Sequence, residues 1–228
     1  MITFSNYQMT PKIQKTIFGL LAIISSILLY FYQQIKTFQS QEGKFLVTQV
    51  LDGDSFVISP DQTIRLANID APELDLCFGQ QAKQFLENLV LDKYVDIKVY
   101  GRDAYQRTVA LVYLPDDQLV NQIMAQNGMG IYTSTNTDER EKINQAVESA
   151  RNNQIGIFSQ TCSQTENIDN PKCNIKGNIG KHDREKYYHL PNCAEYNRTV
   201  VELHLGEQWF CTENEAQKAG YTKSKNCP

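Results

Sequence analysis

The chain has 228 residues, of which 41% are hydrophobic, and this proportion excludes a wholly disordered protein. Its formal net charge is −4, and residues 45–160 carry 9 basic and 16 acidic side chains. This balance excludes nucleic-acid binders that depend on a positive field over a whole domain, so any contact with a polyanion must use a few local cations.

The first predicted element is a membrane-spanning helix over residues 17–32, which read IFGLLAIISSILLYFY and contain no charge. The segment is slightly shorter than a typical span, but neighbouring residues can extend it. Lys12 and Lys15 precede it and only Lys36 follows closely, so the positive-inside bias places the N-terminus in the cytoplasm and the rest of the chain outside. A cleaved signal peptide is one alternative, although bulky residues follow the apolar run. A buried core helix is another.

The composition divides the chain into five predicted segments. An anchor and two folded regions are separated by polar stretches without hydrophobic periodicity. The segments are residues 1–36 (cytoplasmic N-terminus and anchor), 37–44 (tether), 45–160 (first domain), 161–170 (linker) and 171–228 (small Cys-rich module).

The hydrophobic patterns of the first domain predict three strands, a helix, two strands and two helices. Five short strands with a helix after the third suit a closed barrel of the OB type. The predicted fold class is therefore α+β, an OB-fold five-stranded β-barrel with three helices. The predicted strands are Phe45–Val50, Ser55–Ser59, Thr63–Ile69, Tyr94–Tyr100 and Thr108–Leu114, with a further short one at Gly130–Thr133, and the helices are Gly79–Leu91, Leu119–Asn127 and Asp138–Asn153.

Three polar segments of this domain resemble the active-site segments of the staphylococcal nuclease (thermonuclease) family. An Asp-Gly-Asp-Ser hairpin followed by Arg-x-x-x-x-Asp-x-Pro-Glu is the most specific part. The resemblance covers about half of the chain and implies a calcium-dependent phosphodiesterase that cleaves DNA or RNA internally. The segments are Leu51-Asp52-Gly53-Asp54-Ser55, Ile64-Arg65-Leu66-Ala67-Asn68-Ile69-Asp70-Ala71-Pro72-Glu73 and Asp103-Ala104-Tyr105-Gln106-Arg107.

The resemblance implies a calcium site made of oxygen ligands. The carboxylates of Asp54 and Asp70 and the backbone carbonyl of Ala71 would bind the ion, and a site with so few protein ligands keeps water molecules. Because Arg65 and Asp70 are five residues apart, they face opposite sides of an ideal strand. We therefore expect the strand to end near Ile69 and the chain to bend close to Pro72, which would allow the side chains to converge.

The resemblance also implies roles for four other side chains. Arg65 and Arg107 would hold the phosphate through forked donors, and Glu73 would orient or deprotonate the attacking water. Tyr105 would lie beside a nucleotide. Ala104 replaces a lysine that is common in the family, so one basic contact to substrate is missing.

The six cysteines indicate disulfides, because their number is even and the chain is predicted to be exported. By resemblance to exported relatives, a Cys77–Cys162 bond would connect the loop after Glu73 to the end of the first domain. A capping box of Thr212 and Glu215 predicts a helix in the Cys-rich module.

The Cys-rich module resembles one that is appended to bacterial nucleases of this family, and it is distantly similar to the metal-binding domain of Ada-type DNA repair proteins. Two alternatives exist for its chemistry. His189, Cys193, Cys211 and Cys227 have the residue types of a Zn²⁺ site. The same cysteines can instead form disulfides, for example Cys173–Cys211 and Cys193–Cys227, and export favours this alternative.

Two classes of function remain at this point. The favoured one is a membrane-anchored, extracytoplasmic nuclease that acts on DNA, RNA or both, with no protein partner implied. The other is a non-catalytic binding module for nucleic acid or a surface, on the same anchor. The presence of Glu73 and both arginines favours the enzyme, since a binding module does not need an acid that orients water.

Overall fold

A computed structural model describes residue 21 and residues 23–32, 44–181 and 183–228. They belong to two compact units, residues 1–43 and residues 44–228. In the first unit, residue 21 and residues 23–32 are helical and exposed. The other positions of the predicted anchor, 17–20 and 22, lie outside the described residues. Nowhere in the described ranges does a helix reach the length and apolarity required to cross a membrane.

Short strands and helices alternate in residues 44–160. The strands are β1 (Phe45–Val50), β2 (Ser55–Ile58), β3 (Gln62–Leu66), β4 (Ile69–Asp70), β5 (Tyr94–Arg102), β6 (Thr108–Tyr113) and β7 (Ile131–Tyr132). The helices are α1 (Gly79–Val90), α2 (Val120–Gln126) and α3 (Arg140–Asn152).

Five of these strands close into a barrel in the order β1-β2-β3-β6-β5, which confirms the predicted five-stranded architecture. Neighbours are antiparallel except β3 and β6, which are parallel. The strands β4 and β7 form a separate antiparallel pair. The predicted strand Thr63–Ile69 is therefore wrong in one respect, because it is divided into β3 and β4.

The three helices cover the barrel with their apolar faces. In α1 the buried side chains Ala82, Leu86 and Val90 recur at four-residue spacing, as an amphipathic helix requires. The helix α2 is tied to the barrel by the buried side chain of Asn121, which accepts a hydrogen bond from the Val112 N–H (2.9 Å) and donates to the Ala67 carbonyl (2.8 Å). These contacts hold α2 behind the strands that carry the polar segments.

The C-terminal part of the second unit has its own small core. Its elements are β8 (Ser163–Gln164), β9 (Ile175–Ile179), β10 (Lys186–His189), β11 (Val201–Glu202), β12 (Gln208–Phe210), α4 (Glu213–Lys218) and β13 (Thr222–Lys223). Four strands form a sheet in the order β12-β9-β10-β13, and β8 pairs with β11. The predicted capping box is present at the start of α4.

Hydrogen bonds attach the segment that follows the first domain to this part. The Leu203 N–H donates to the Cys162 carbonyl at 2.8 Å, and the indole N–H of Trp209 donates to Gln164 Oε1 at 2.7 Å. Residues 161–170, expected to be a polar linker, thus contribute a paired strand to the unit.

Candidate active site

The Asp-Gly hairpin between β1 and β2 buries the carboxylate of Asp54. The Asp52 carboxylate accepts the Asp54 N–H at 3.0 Å and thereby holds the turn. A Cβ added to Gly53 would lie 2.6 Å from the Cβ of Ala71 and 2.7 Å from that of Ala82. Only glycine therefore lets the loop after β4 and the helix α1 close over the hairpin.

A turn at Asn68 separates β3 from β4. Asn68 adopts a φ of 64°, the left-handed region that asparagine tolerates better than most residues. Its buried amide donates to the carbonyls of Thr133 (2.8 Å) and Thr135 (2.6 Å), and its oxygen accepts from the Thr137 hydroxyl (2.6 Å). The bend expected at Pro72 is thus placed too late, because the chain already changes direction before Asp70.

This turn brings Arg65 between two carboxylates. One guanidinium nitrogen donates to Asp54 Oδ1 at 2.7 Å, and another donates to Asp70. Asp54 Oδ1 also accepts the Ser55 hydroxyl at 2.7 Å, while its other oxygen accepts the Ala71 N–H at 3.1 Å. The structure therefore brings together the hairpin before β2, the strand β3 and the end of β4, through contacts between residues up to 17 positions apart.

Burial and charge have opposite effects on the Asp54 carboxyl. Desolvation raises its pKa to about 7, although the Arg65 guanidinium and the Ser55 hydroxyl favour the ionised form. For Arg65, desolvation lowers the pKa, but the negative charges of Asp54 and Asp70 outweigh this effect. The pKa of Arg65 is therefore raised. The positive charge of Arg65 thus favours the ionised form of a carboxyl that burial disfavours.

The second arginine is held by its own loop. Asp103 accepts the Arg107 Nε–H at 2.6 Å with one oxygen, and the backbone N–H groups of Arg107 and Tyr105, both at 2.9 Å, with the other. Arg107 also donates to the Ser55 hydroxyl at 3.1 Å, which connects it to Asp54. The Tyr105 ring lies 5.3 Å from the Arg107 guanidinium and is 83% exposed.

Glu73 lies on the loop that connects β4 to α1, with an exposed side chain. Its carbonyl accepts the Leu76 N–H at 2.9 Å. A Cβ on Gly79 would lie 1.9 Å from that carbonyl oxygen, so the start of α1 packs directly against the loop. A pocket of about 440 Å³ is lined by the seven residues predicted for the nuclease site, together with Asp52 and Pro72: Asp52, Asp54, Arg65, Asp70, Ala71, Pro72, Glu73, Tyr105 and Arg107.

The chemistry of this donor set fits a hard cation. Asp54 and Asp70 converge on the single positive charge of Arg65, so both carboxylates already face one cationic group. Within the ranges that the structure describes, no cluster of three or more His, Cys, Asp or Glu side chains could hold a metal ion. An ion bound by these two carboxylates would complete its coordination with water or backbone oxygen, as calcium does.

The cysteine residues form the disulfides that were expected. Cys77 is bonded to Cys162, and the two C-terminal bonds are Cys173–Cys211 and Cys193–Cys227. The zinc alternative is therefore not the one observed, because bonded cysteines provide no thiolate ligand.

His189, the fourth proposed zinc ligand, instead pairs its Nε2 with Asn178 Oδ1 at 2.9 Å. Burial lowers its pKa. Its environment is thus that of a packed neutral imidazole.

Sequence reasoning missed three residues that position the site. Ser55 joins Asp54 to Arg107, Asp103 orients Arg107, and Asn68 turns the chain before Asp70. Ser55 and Asp103 stand inside the motifs already noted, and an aspartate that accepts N–H groups two and four residues later is a known turn signal. Asn68 makes its contacts with Thr133, Thr135 and Thr137, which are separated from it by 65 to 69 positions in the sequence. No local sequence pattern indicates contacts over such a separation.

Comparison with known proteins gives consistent results. Residues 63–160 match the family model described as "Staphylococcal nuclease homologue". An "Uncharacterized endonuclease" of Escherichia coli O157:H7 is 36% identical over 117 residues, which cover 50% of this chain and 75% of that protein. A "Micrococcal nuclease" of Shigella flexneri is 35% identical over 130 residues (52% and 75%), and an "Uncharacterized endonuclease" of Haemophilus influenzae is 31% identical over 141 residues (60% and 78%).

Proposed function

The chain belongs to the family of staphylococcal nuclease homologues and is a nuclease, and we propose that it hydrolyses DNA, RNA or both internally, with calcium, outside the cytoplasm. The observation that carries the proposal is the convergence of Asp54 and Asp70 on Arg65, with Arg107 linked to the same group through Ser55. Two carboxylates and two arginines in one pocket combine a cation site with an anion site.

The arginines suit a phosphodiester. Each guanidinium has five N–H donors, and Arg65 and Arg107 use only part of them in the contacts described. Donors that remain can bind the phosphate oxygens, whose negative charge increases as water attacks phosphorus. Because Asp103 and Ser55 fix Arg107 beforehand, little reorganisation is needed during the reaction.

Glu73 suits the role of the group that orients or deprotonates water. It lies in the same pocket as both arginines, and its exposed carboxylate makes no ion pair with a described residue. Hydrolysis forms a bond from the water oxygen to phosphorus and breaks the bond to the leaving alkoxide. Glu73 would accept the proton of the water, and the leaving oxygen would gain a proton from solvent.

Asp54 and Asp70 would hold the calcium ion, with the Ala71 carbonyl as a further ligand. When bound, calcium would polarise the phosphate and neutralise developing charge. The buried Asp54 favours this role, because desolvation makes its ionised form dependent on a neighbouring cation. Tyr105, exposed at the edge of the pocket, would lie against a nucleotide.

The disulfides support action outside the cytoplasm, since such bonds persist in oxidising compartments. The apolar segment 17–32 supports a single-pass anchor with residues 45–160 and 171–228 outside the membrane, or a signal peptide that is cleaved. The arrangement would suit degradation of nucleic acid that the cell meets at its surface.

The test is hydrolysis of circular single-stranded DNA and of single-stranded RNA by the full chain, purified in a mild detergent, with calcium and with a chelator. Linear products in calcium alone would support internal, calcium-dependent cleavage, because a circle has no end for an exonuclease. A folded, disulfide-bonded chain that binds but does not cleave either polymer in calcium would favour the non-catalytic binding module instead.

A further inference from the structure

A second pocket adjoins the candidate active site. It measures about 610 Å³ and shares two residues, Tyr105 and Arg107, with the first pocket. Tyr105 therefore stands between the two, and its ring is 83% exposed. The second pocket is lined by the β2–β3 turn and by the loop that holds Arg107: Pro60, Asp61, Gln62, Thr63, Arg102, Tyr105, Gln106 and Arg107.

Arg102 gives this pocket an available positive charge. Its guanidinium donates to the Gln106 carbonyl at 3.1 Å, and it forms no ion pair with a carboxylate in the described part of the chain. The adjacent Asp103 is occupied by Arg107. Asp61 is the only acidic residue of the lining, and because Arg107 is paired with Asp103, Arg102 is the arginine of this pocket whose charge is available to a ligand.

The strand β3 runs from one pocket to the other. Thr63 lies two residues before Arg65, so both side chains project from the same face of the strand. The two residues span roughly 6.6 Å of extended chain, a distance comparable to the spacing of successive phosphates along a nucleic-acid strand. Gln62 is fixed beside them, because its amide donates to the Thr108 hydroxyl at 2.7 Å.

We propose that the second pocket is a binding subsite for the nucleotide next to the scissile phosphate, with Arg102 as the ligand of its phosphate and Tyr105 as a stacking surface between the two positions. The inference rests on the proposed phosphodiesterase function. Its substrate class is a flexible single strand, because a strand with unpaired bases can follow the bend around Tyr105 and stack on its ring.

The subsite makes substrate length important. A dinucleotide fills the active-site pocket alone, whereas a longer strand also reaches Arg102. Phosphate contacts of this kind act through the release of counterions, so each one adds to the salt dependence of binding. A phosphate contact made by Arg102 would therefore appear as part of the salt dependence of binding, which a purely structural role of Arg102 would not produce.

The test compares the full chain with Arg102→Ala on two substrates, a DNA strand of about 12 nucleotides, within the site size of one OB fold, and a dithymidine monophosphate. Arg140→Ala is the matched control, since Arg140 is an exposed arginine on α3 that lines neither pocket. KM and kcat are measured at several salt concentrations in calcium.

We expect Arg102→Ala to raise KM for the strand roughly tenfold, the lower end of what a hydrogen bond to a charged group contributes. The slope of log KM against log salt should fall by about 0.7, the value for one phosphate contact on a single strand. The dinucleotide KM should stay within a factor of about two, and Arg140→Ala should change neither substrate.

Each other outcome has a distinct meaning. An unchanged strand KM and salt slope in Arg102→Ala, in an enzyme that still cleaves, would overturn the subsite and leave the nuclease function intact. An equal loss on both substrates would also overturn it, by showing that Arg102 acts on the catalytic site. Failure of the unsubstituted chain to cleave either substrate in calcium would instead contradict the proposed function.

Discussion

The guanidinium of Arg65 contacts the carboxylate of Asp70, although side chains five residues apart in one continuous strand point to opposite faces. The contact exists because β3 ends at Leu66 and a new strand begins at Ile69. Asn68, with its positive φ and its three hydrogen bonds to the segment 133–137, produces this interruption. A turn in the fold, rather than the residue spacing, thus creates the carboxylate pair.

Asn68→Ala should lower the free energy of unfolding by roughly 2–4 kcal/mol, because the side-chain hydrogen bonds are lost and alanine must adopt a strained left-handed conformation. Asn68→Gly is the matched control, since glycine adopts a φ of 64° without strain. It should be the more stable variant by about 1 kcal/mol. Urea denaturation measures both, and equal stability of the two variants would contradict the role given to the backbone conformation.

Glu73→Gln should reduce kcat for single-stranded DNA by about 10² to 10⁴, the usual contribution of a general base. Asp75→Asn is the control, because Asp75 is an exposed acid of the same loop that does not line the pocket. Rates in saturating calcium distinguish the two variants. If Asp75→Asn lost as much activity as Glu73→Gln, general charge on the loop and not the position of Glu73 would explain the effect.

Asp70→Asn should raise the calcium concentration for half-maximal activity at least roughly tenfold, because one of two anionic ligands becomes neutral. Asp70 is part-exposed, so this variant is expected to fold. Titration calorimetry with calcium checks the binding without any substrate. An unchanged calcium affinity would remove Asp70 from the metal site.

The double substitution Cys77→Ser, Cys162→Ser should lower the free energy of unfolding by about 2–4 kcal/mol, since the bond closes a long loop of the unfolded chain. The two cysteines are 85 positions apart, and the bond ties the Glu73 loop to the segment that contacts the C-terminal module. Chemical denaturation followed by Trp209 fluorescence gives the value. A variant as stable as the parent would show that the bond is dispensable for folding.

His204 should make stability depend on pH. The residue is buried against Phe158, and neither ring nitrogen has a hydrogen-bond partner among the described residues. Desolvation, assisted by the charge of Arg151, lowers its pKa from 6.5 to about 4. Because the pKa of His204 is lower in the folded state than in the unfolded state, protonation of the histidine favours unfolding. The stability is therefore fully present at pH values above the unfolded-state pKa, and it is lost as the pH falls through the folded-state pKa.

His204→Phe removes this titration and the unpaired ring nitrogens. The variant should therefore gain more stability over the parent at about pH 4.5 than at about pH 8. Ile58→Val is the control, because it removes one buried methylene group from the barrel core without altering a titratable group, and its effect should be the same at both pH values. Thermal unfolding is the measurement, and an equal gain of His204→Phe at each pH would show that the ring of His204 does not titrate in this range.

Much of the fold could be predicted from the sequence because its signals are local. The spacing of Ala82, Leu86 and Val90 predicts the inward face of α1, and the Asp-Gly turn at residues 52–53 predicts the first hairpin. The candidate site residues could be predicted for a related reason, since the three polar segments keep a recognisable order and spacing. Each of these signals lies within a few residues of the structure that it determines.

The sequence by itself determined the strand and helix order, the residue types at the site and the cysteines available for pairing. The tertiary structure decided where β3 is interrupted, how Ser55 links Asp54 to Arg107, and where Arg102 stands beside Tyr105. The interruption of β3 and the Ser55–Arg107 hydrogen bond depend on contacts between segments about 50 or more residues apart. Periodicity reports only which face of an element is apolar, so contacts made by closing the barrel leave no trace in it.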